Sequence, residues 1–226
     1  MLNNKGFDLW ADGYDKSVGL SDESGSYPFA GYKEILNAIY NRVLNAGARD
    51  ILDVGFGTGT LTSRLYVQGL NVSGQDFSAR MIALAREKMP NAVLIQADFS
   101  DGLAPELSQK RYDAIIATYS LHHLSDAAKA RFIRSLLPLL NDGGAIYIGD
   151  VAFETRAQLE ACRAQAGGEW DADEIYFVIG ELKKALPALR FERFSDCAGL
   201  ITIQKEEEAI CRASFLPGLD DRIAAH

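Results

Sequence analysis

An aspartate and three glycines occupy the part of the chain where a ligand-binding turn is expected. The pattern D-x-G-x-G-x-G runs from Asp53 to Gly59 and begins near the end of a short predicted buried strand, whose apolar residues are Ile51, Leu52 and Val54. Gly55, Gly57 and Gly59 carry no Cβ atom, so this backbone can approach a ligand closely. From Thr60 the spacing of apolar residues predicts a helix, with Leu61 and Leu65 one turn apart. A strand, a glycine turn and a helix together predict a site for a nucleotide-like ligand at a helix N-terminus.

Acidic side chains follow three further predicted strands. Asp76 ends the second strand, where a carboxylate can accept hydrogen bonds from both ribose hydroxyls of an adenosine group. Asp98 follows the third strand and by itself fits a structural role equally well. Asp150 follows the fifth strand and could face a substrate or cap the next helix. Because the carboxyl ends of parallel strands share one edge of a sheet, we expect these carboxylates in one crevice.

Two adjacent histidines follow the fourth predicted strand, which covers residues 112–118. An imidazole near neutral pH could act as a general base, and His122 is the better placed candidate. The alternative is that one histidine is packed or capping and the other solvated. The sequence predicts no metal site, because only His226, at the far terminus, adds another imidazole to His122 and His123.

The first 26 residues form a separate predicted segment. Trp10 and Tyr14 belong to one apolar stripe of a short helix, which a Ser/Asp/Glu/Gly run over residues 21–26 ends. This helix could be a structural cap on the core or a mobile lid over a pocket. Residues 27–205 are expected to form the main domain, and no role is assigned to the tail at residues 206–226.

The remaining pattern alternates strands with helices and predicts an α/β fold. Helices are expected over residues 32–44, 155–166 and 174–186, and after Ser125, a predicted N-cap. Residues 191–194 and 200–203 are strand-like and close enough to pair as an antiparallel hairpin.

The composition restricts the partners. The chain has 226 residues, 48% of them hydrophobic, and a formal net charge of −8 with no basic cluster, which disfavours nucleic acid as substrate. Three cysteines without C-x-x-C spacing predict neither disulfides nor a zinc site. Because no apolar run is long enough to span a bilayer and no signal peptide is recognisable, we expect a cytoplasmic protein without membrane contact.

Several of these motifs resemble those of one enzyme family. The D-x-G-x-G-x-G turn resembles motif I of the class I S-adenosylmethionine-dependent methyltransferases, and D-x-S-x-x-M from Asp76 to Met81 looks like their second motif. The string from Tyr119 to Leu124 resembles motif IV, whose residues face the methyl-transfer site. The W-A-x-x-Y-D opening is similar to that of many small-molecule members, in which the tyrosine, here Tyr14, often closes over the cofactor.

The resemblance implies a Rossmann-like doubly wound sheet, mostly parallel, that ends in an antiparallel hairpin. It also implies S-adenosyl-L-methionine as cofactor, with its methionine part near Asp53 and the glycine turn and its ribose on Asp76. Asp98 would bind the adenine amino group, while Phe99 and Met81 pack near the ring. The full set of expected cofactor-binding residues is Tyr14, Asp53, Gly55, Phe56, Gly57, Gly59, Asp76, Phe77, Met81, Asp98, Phe99 and Thr118.

The expected activity is direct in-line transfer of a methyl group to a nucleophilic atom of a small metabolite. A general base is needed only if the acceptor arrives protonated, and His122 and Tyr14 are the candidates. Two alternatives remain at this point. One is an NAD-dependent oxidoreductase, which the glycine spacing and the lack of a Tyr-x-x-x-Lys pair disfavour. The other is a module that binds S-adenosylmethionine without catalysis. The sequence predicts neither the acceptor nor the oligomeric state.

Overall fold

The computed structural model describes residues 26–205 of the chain. The expectations about the N-terminal lid or cap, Tyr14 included, and about the tail at residues 206–226 therefore lie outside the described residues.

One large sheet dominates the described residues. Its strands are β1 (Asp50–Val54), β2 (Asn71–Asp76), β3 (Val93–Gln96), β4 (Tyr112–Thr118), β5 (Leu140–Phe153), β6 (Phe177–Val178), β7 (Arg190–Arg193) and β8 (Ala198–Gln204). The order across the sheet is β3-β2-β1-β4-β5-β8-β7, and β6 pairs with the end of β5. Strands β1 to β6 pair in parallel, whereas β8 is antiparallel to both β5 and β7. This arrangement confirms the predicted fold class.

Helices connect most of the strands. They are α1 (Tyr32–Asn45), α2 (Thr62–Val67), α3 (Ala79–Lys88), α4 (Pro105–Ser108), α5 (Asp126–Leu136), α6 (Arg156–Ala166) and α7 (Ile179–Ala185). Two of the helix starts have a side-chain cap that the residue types predict: Ser78 accepts a hydrogen bond from Met81 N, and Ser125 accepts one from Ala128 N.

Apolar side chains cover both faces of the sheet because successive strand residues point in opposite directions. Leu52 and Ile115 pack in one cluster with residues of α5 and α7, whereas Ile51 and Ile116 pack in another with residues of α1 and α6. These strands therefore read as continuous apolar runs, as strands buried on both faces do.

The strand order reverses between β1 and β4. Crossovers from β1 lead outward to β2 and β3, and those from β4 lead to β5 on the other side. Connections to opposite sides leave a crevice at the carboxyl ends of the two central strands. The glycine turn after β1 and the two histidines after β4 face this crevice from its two sides.

The prediction of a helix over residues 174–186 is wrong for residues 174–178. Only Ile179–Ala185 is helical, while Phe177 and Val178 form β6 against the end of β5. Tyr176, Phe177 and Val178 are buried. Their aromatic and β-branched side chains suit a short strand, and the pairing with β5 outweighs the weak helical pattern.

No helix among residues 26–205 is long and apolar enough to cross a membrane.

Candidate active site

The glycine turn lies against the residues that follow β4. Gly55 has a φ of 71°, and a Cβ atom on it would lie 2.5 Å from the Cβ of Ser120. No other residue type fits there without displacing Ser120. The hydroxyl of Ser120 donates to the carbonyl of Val54 over 2.9 Å. The turn and the fourth strand thus meet directly at the crevice.

Asp76 joins the glycine turn to the end of β2. Its Oδ2 accepts a hydrogen bond from Gly57 N at 2.8 Å, and its Oδ1 accepts one from Ser78 N at 2.9 Å. The side chain is almost completely buried, and it lines the cavity described below. The backbone therefore holds this carboxylate in one orientation at the edge where a ribose is expected.

Asp53 is a buried carboxylate with one unused oxygen. Only 1% of the residue is exposed, and the Thr62 hydroxyl donates to its Oδ2. No group among the described residues donates to its Oδ1. Burial, together with the nearby charge of Asp76, raises the pKa of Asp53 to about 7 although the Thr62 hydrogen bond opposes the shift. Such a carboxylate is stabilised by a cationic partner.

His122 lies between two carboxylates. Its Nδ1 is 2.7 Å from Oδ1 of Asp150, and its Nε2 is 3.3 Å from Oε1 of Glu174. Burial by itself would lower the pKa of His122, but the two carboxylates outweigh it and raise the pKa to about 10. The imidazole consequently keeps its proton at neutral pH, which does not favour the expected role as general base.

The pKa values of two neighbours of His122, Glu174 and His123, are lowered. Burial would raise the pKa of Glu174, yet its hydrogen bond and charge interaction with His122 lower it to about 2. His123 packs edge-on against His122 with ring centroids 4.4 Å apart. Burial and the neighbouring charge of His122 lower the pKa of His123 to about 4, so this ring is neutral at neutral pH.

Glu174 reaches the site because the segment of residues 169–176, here called the acidic segment, is fixed at several points. Ile175 N donates to the carbonyl of His122 over 2.9 Å, and the buried Lys129 ammonium donates to the carbonyl of Ile175. Tyr176 donates to Oε2 of Glu174 over 2.7 Å. The ring of Tyr27 stacks on Trp170 at 5.1 Å between centroids.

These groups enclose a cavity of about 400 Å³ at the carboxyl ends of the strands. Most of the expected residues line it: Asp53, Gly55, Phe56, Gly57, Asp76, Phe77, Met81, Phe99, Thr118 and His122. Gly59 does not, since its Cα faces Met89, and a Cβ there would lie 2.8 Å from Met89 Cε. Asp98 is exposed outside the cavity, where it accepts a hydrogen bond from Ser100 N. Tyr14 lies outside the described residues.

Two further sides of the cavity include residues that the sequence does not predict there, such as Phe29 and Tyr32, beside Tyr119 of the string expected to face the methyl-transfer site. Phe29, Tyr32 and Tyr119 form an aromatic wall, with Tyr119 5.2 Å from Phe29 and 5.1 Å from Tyr32 between ring centroids. Glu169, Asp171, Asp173 and Glu174 form an acidic side of the same cavity. The signal available for the acidic side is the density of acids between Gly168 and Tyr176; the sequence predicts Glu174 at the start of a helix and assigns no role to the three acids before it.

Comparison with known proteins places the chain among methyltransferases. A family profile described as "Methyltransferase domain" matches residues 51–144. An uncharacterized methyltransferase of Anoxybacillus flavithermus is 36% identical over 183 residues, which cover 81% of this chain and 83% of the relative. Another, of Geobacillus sp. strain WCH70, is 39% identical over 161 residues, or 71% of this chain and 72% of the relative.

Solved structures of low sequence identity share the fold. Magnesium protoporphyrin IX methyltransferase from Synechocystis PCC 6803, with bound SAH, superposes with a TM-score of 0.60 at 18% identity, covering 78% of this chain and 84% of that one. DhpI in its complex with SAM and HEP superposes with a TM-score of 0.61 at 22% identity, covering 87% and 92%.

Proposed function

Because the chain belongs to the class I S-adenosylmethionine-dependent methyltransferases, we propose that it transfers the methyl group of S-adenosylmethionine to a nucleophilic atom of a small metabolite. The observation that carries this proposal is the buried Asp53, which lines the cavity beside the glycine turn and whose Oδ1 has no donor among the described residues. The α-ammonium group of the cofactor is a cation of suitable size for this carboxylate.

The described residues fit the other parts of the cofactor as well. Asp76 would accept hydrogen bonds from the ribose hydroxyls, since a carboxylate has lone pairs left after it has accepted two backbone N–H groups. Phe77, Met81 and Phe99 line the cavity next to Asp76 and would pack against the adenine. Asp98 is assigned no such contact, because it lies outside the cavity. When bound, the cofactor supplies a sulfonium-activated methyl group.

The acceptor is proposed to lie between the aromatic wall and the histidines. Thr118, Ser120 and His122 line the cavity as the aromatic wall does, and the rings would help to exclude water from a bound acceptor. The residues there would act by holding the acceptor in line with the methyl–sulfur bond, which is where most of the acceleration of a sulfonium transfer arises. A cavity of about 400 Å³ is within the size range of small-molecule sites.

A small metabolite is favoured over nucleic acid by charge. The chain carries a formal net charge of −8, and no Lys or Arg is among the described residues that line the cavity. A phosphate backbone would meet the acidic segment without a compensating cation. Neutral or cationic metabolites are therefore the acceptors to test first.

The test is a calorimetric titration with S-adenosylmethionine, S-adenosylhomocysteine and NAD, followed by a methyl-transfer assay on a panel of metabolites and on bulk RNA. The proposal expects binding of the first two ligands, no binding of NAD, and methylation of a metabolite. Binding of NAD alone would favour the oxidoreductase alternative. Methylation of RNA with no metabolite turned over would contradict the small-molecule assignment.

A further inference from the structure

Three side chains with metal-binding atoms meet at the acceptor side of the cavity. The ligand atoms of His122, His123 and Glu174 all lie within 4.8 Å of one another, and all three residues line the cavity. The histidines come from the turn after β4, and Glu174 comes from the acidic segment before β6. Two separate parts of the chain thus bring two imidazoles and one carboxylate to the same point.

The spacing suits direct coordination. Nε2 of His122 lies 3.3 Å from Oε1 of Glu174. Nitrogen and oxygen ligands bound at about 2.0–2.1 Å to a tetrahedral ion are about 3.3 Å apart, so both atoms can bind one ion where they stand once that ion displaces the proton that His122 Nε2 otherwise carries. The ligand atom of His123 lies within 4.8 Å of both, so this third ligand must move closer to reach the ion. Three protein ligands with a fourth position facing a cavity are the arrangement of catalytic rather than structural zinc sites.

The cluster also has the supporting hydrogen bonds that metal ligands usually have. Oδ1 of Asp150 is 2.7 Å from Nδ1 of His122, which leaves Nε2, 3.3 Å from Oε1 of Glu174, as the ring nitrogen for an ion. The hydroxyl of Tyr176 donates to Oε2 of Glu174 over 2.7 Å, so that Oε1 remains for an ion. A histidine that binds a metal generally donates its other ring N–H to a carboxylate in this way.

The charges around the cluster favour a cation. Glu169, Asp171 and Asp173 line the same cavity, and its described lining contains no Lys or Arg. A concave surface with charges of one sign concentrates ions of the opposite sign. Two imidazoles with one carboxylate favour Zn²⁺ and its transition-metal neighbours over Mg²⁺ or Ca²⁺, which prefer all-oxygen ligands.

We propose that His122, His123 and Glu174 bind a divalent transition-metal ion of the zinc class, with its fourth position open to the acceptor. That the fourth position is open to the acceptor rests on the proposed function. A hydroxyl or thiol acceptor that coordinates the ion releases its proton to water. Its lone pair then forms the bond to the methyl carbon, and the electrons of the broken carbon–sulfur bond return to the sulfonium sulfur.

The first experiment measures the ion itself. Protein treated with a chelator and then desalted is titrated with Co²⁺, and the visible absorption bands of a four- or five-coordinate site are recorded. Calorimetry with ZnCl₂ gives the stoichiometry. We expect one ion per chain and displacement of Co²⁺ by Zn²⁺. If the parent protein binds neither ion, the proposal is overturned. The cluster would then be explained by the ion pair between His122 and Glu174 alone.

Variants locate the ion. Glu174→Gln and His123→Ala should each weaken Zn²⁺ binding by at least tenfold, and Asp150→Asn by about tenfold to a hundredfold because it removes the charge behind His122. Asp101→Asn is the control, since it removes one exposed carboxylate that lies outside the cavity, and its affinity should stay within about threefold. Equal binding by all variants would place the ion elsewhere and overturn the proposal.

The same preparations are titrated with S-adenosylmethionine, which also reports whether each variant is folded. Cofactor binding without metal binding overturns the metal site alone. Metal binding without cofactor binding contradicts the proposed function and leaves the metal site standing.

Discussion

At the scale of single residues, the cavity depends on two carboxylates in different environments. Asp76 accepts two backbone hydrogen bonds, whereas Asp53 keeps one oxygen without a donor among the described residues. Asp76 is therefore held in one orientation. Burial makes the ionised form of Asp53 unfavourable, and a bound cation would stabilise that form.

We expect Asp76→Ala to weaken binding of S-adenosylmethionine by about 1.5–3 kcal/mol, which is roughly 10-fold to 150-fold, because it removes charge-assisted hydrogen bonds to the ribose. Calorimetry measures the change. Asp101→Ala, which removes an exposed acid close to the same sheet edge but outside the cavity, is the control and should bind like the parent. Unchanged affinity in Asp76→Ala would show that the ribose lies elsewhere.

The affinity for S-adenosylmethionine should depend on pH through Asp53. Its pKa is raised to about 7, so below pH 7 the carboxyl is increasingly neutral and cannot pair with the ammonium group. Below that value the dissociation constant should rise by about tenfold per pH unit, since one proton must leave before the ion pair forms. Calorimetry between pH 5.5 and 7.5 tests this, and in Asp53→Asn the dependence should disappear. A parent profile as flat as that of the variant would refute it.

The same group should affect the free energy of unfolding without cofactor. In the folded chain Asp53 releases its proton near pH 7, and in the unfolded chain near its usual pKa of 3.8. Between these values the folded state binds more protons, so this group lowers stability as pH rises, by at most about 1.4 kcal/mol per pH unit. Urea unfolding of the parent and of Asp53→Asn from pH 4.5 to 7.5 should show their difference widening towards pH 7.5. A constant difference would contradict the raised pKa.

At the scale of elements, the acidic segment forms one side of the cavity. Helix α5 fixes this segment through Lys129, which is only 1% exposed and donates a hydrogen bond to the carbonyl of Ile175. The Lys129 ammonium also lies 4.9 Å from the ring centroid of Phe177 in β6. A charged side chain in this position fixes the segment without contributing to the cavity lining.

Lys129→Met keeps the apolar stem but leaves the carbonyl of Ile175 without this donor, which should cost about 1–3 kcal/mol of stability in urea unfolding. Hydrogen exchange should become faster across residues 170–178, while affinity for S-adenosylmethionine should change by less than about threefold. Lys183→Met on the exposed side of α7 is the matched control and should be neutral within about 0.5 kcal/mol. Equal stability of the two variants would mean that the segment is held by its other contacts.

At the scale of the whole molecule, the cavity lies at the reversal of strand order, and the N-terminal segment is expected to be either a lid over it or a cap on the core. The sequence predicts a short, glycine-weakened helix there, followed by a Ser/Gly-rich run. The cap and lid interpretations differ in whether this segment responds to ligand.

We expect hydrogen exchange across residues 5–26 to slow when S-adenosylhomocysteine binds, because a lid gains contacts only with the ligand in place. Asp76→Ala at the same ligand concentration is the control, since it should bind little ligand and show little slowing. Protection that does not change in the parent would favour a permanent cap.

Much of the fold follows from local pattern. The apolar runs of β1 and β4, the turn from Asp53 to Gly59, and Ser78 and Ser125 as N-caps depend on residues close together in the chain. Backbone sterics and nearest-neighbour hydrogen bonds act over such distances, and a sequence displays them directly. The parallel order of the strands then follows from the alternation of strand and helix.

Tertiary structure alone decided the acidic side of the cavity. Glu174 lies next to His122 because β6 pairs with the end of β5 and Lys129 holds Ile175, and both contacts join residues far apart in the chain. Those contacts turned a predicted helix start into a strand. Asp150 of β5, and after it Glu174, raise the pKa of the histidine that the sequence proposes as a base, since a side chain's charge state depends on burial and on neighbours that only folding supplies.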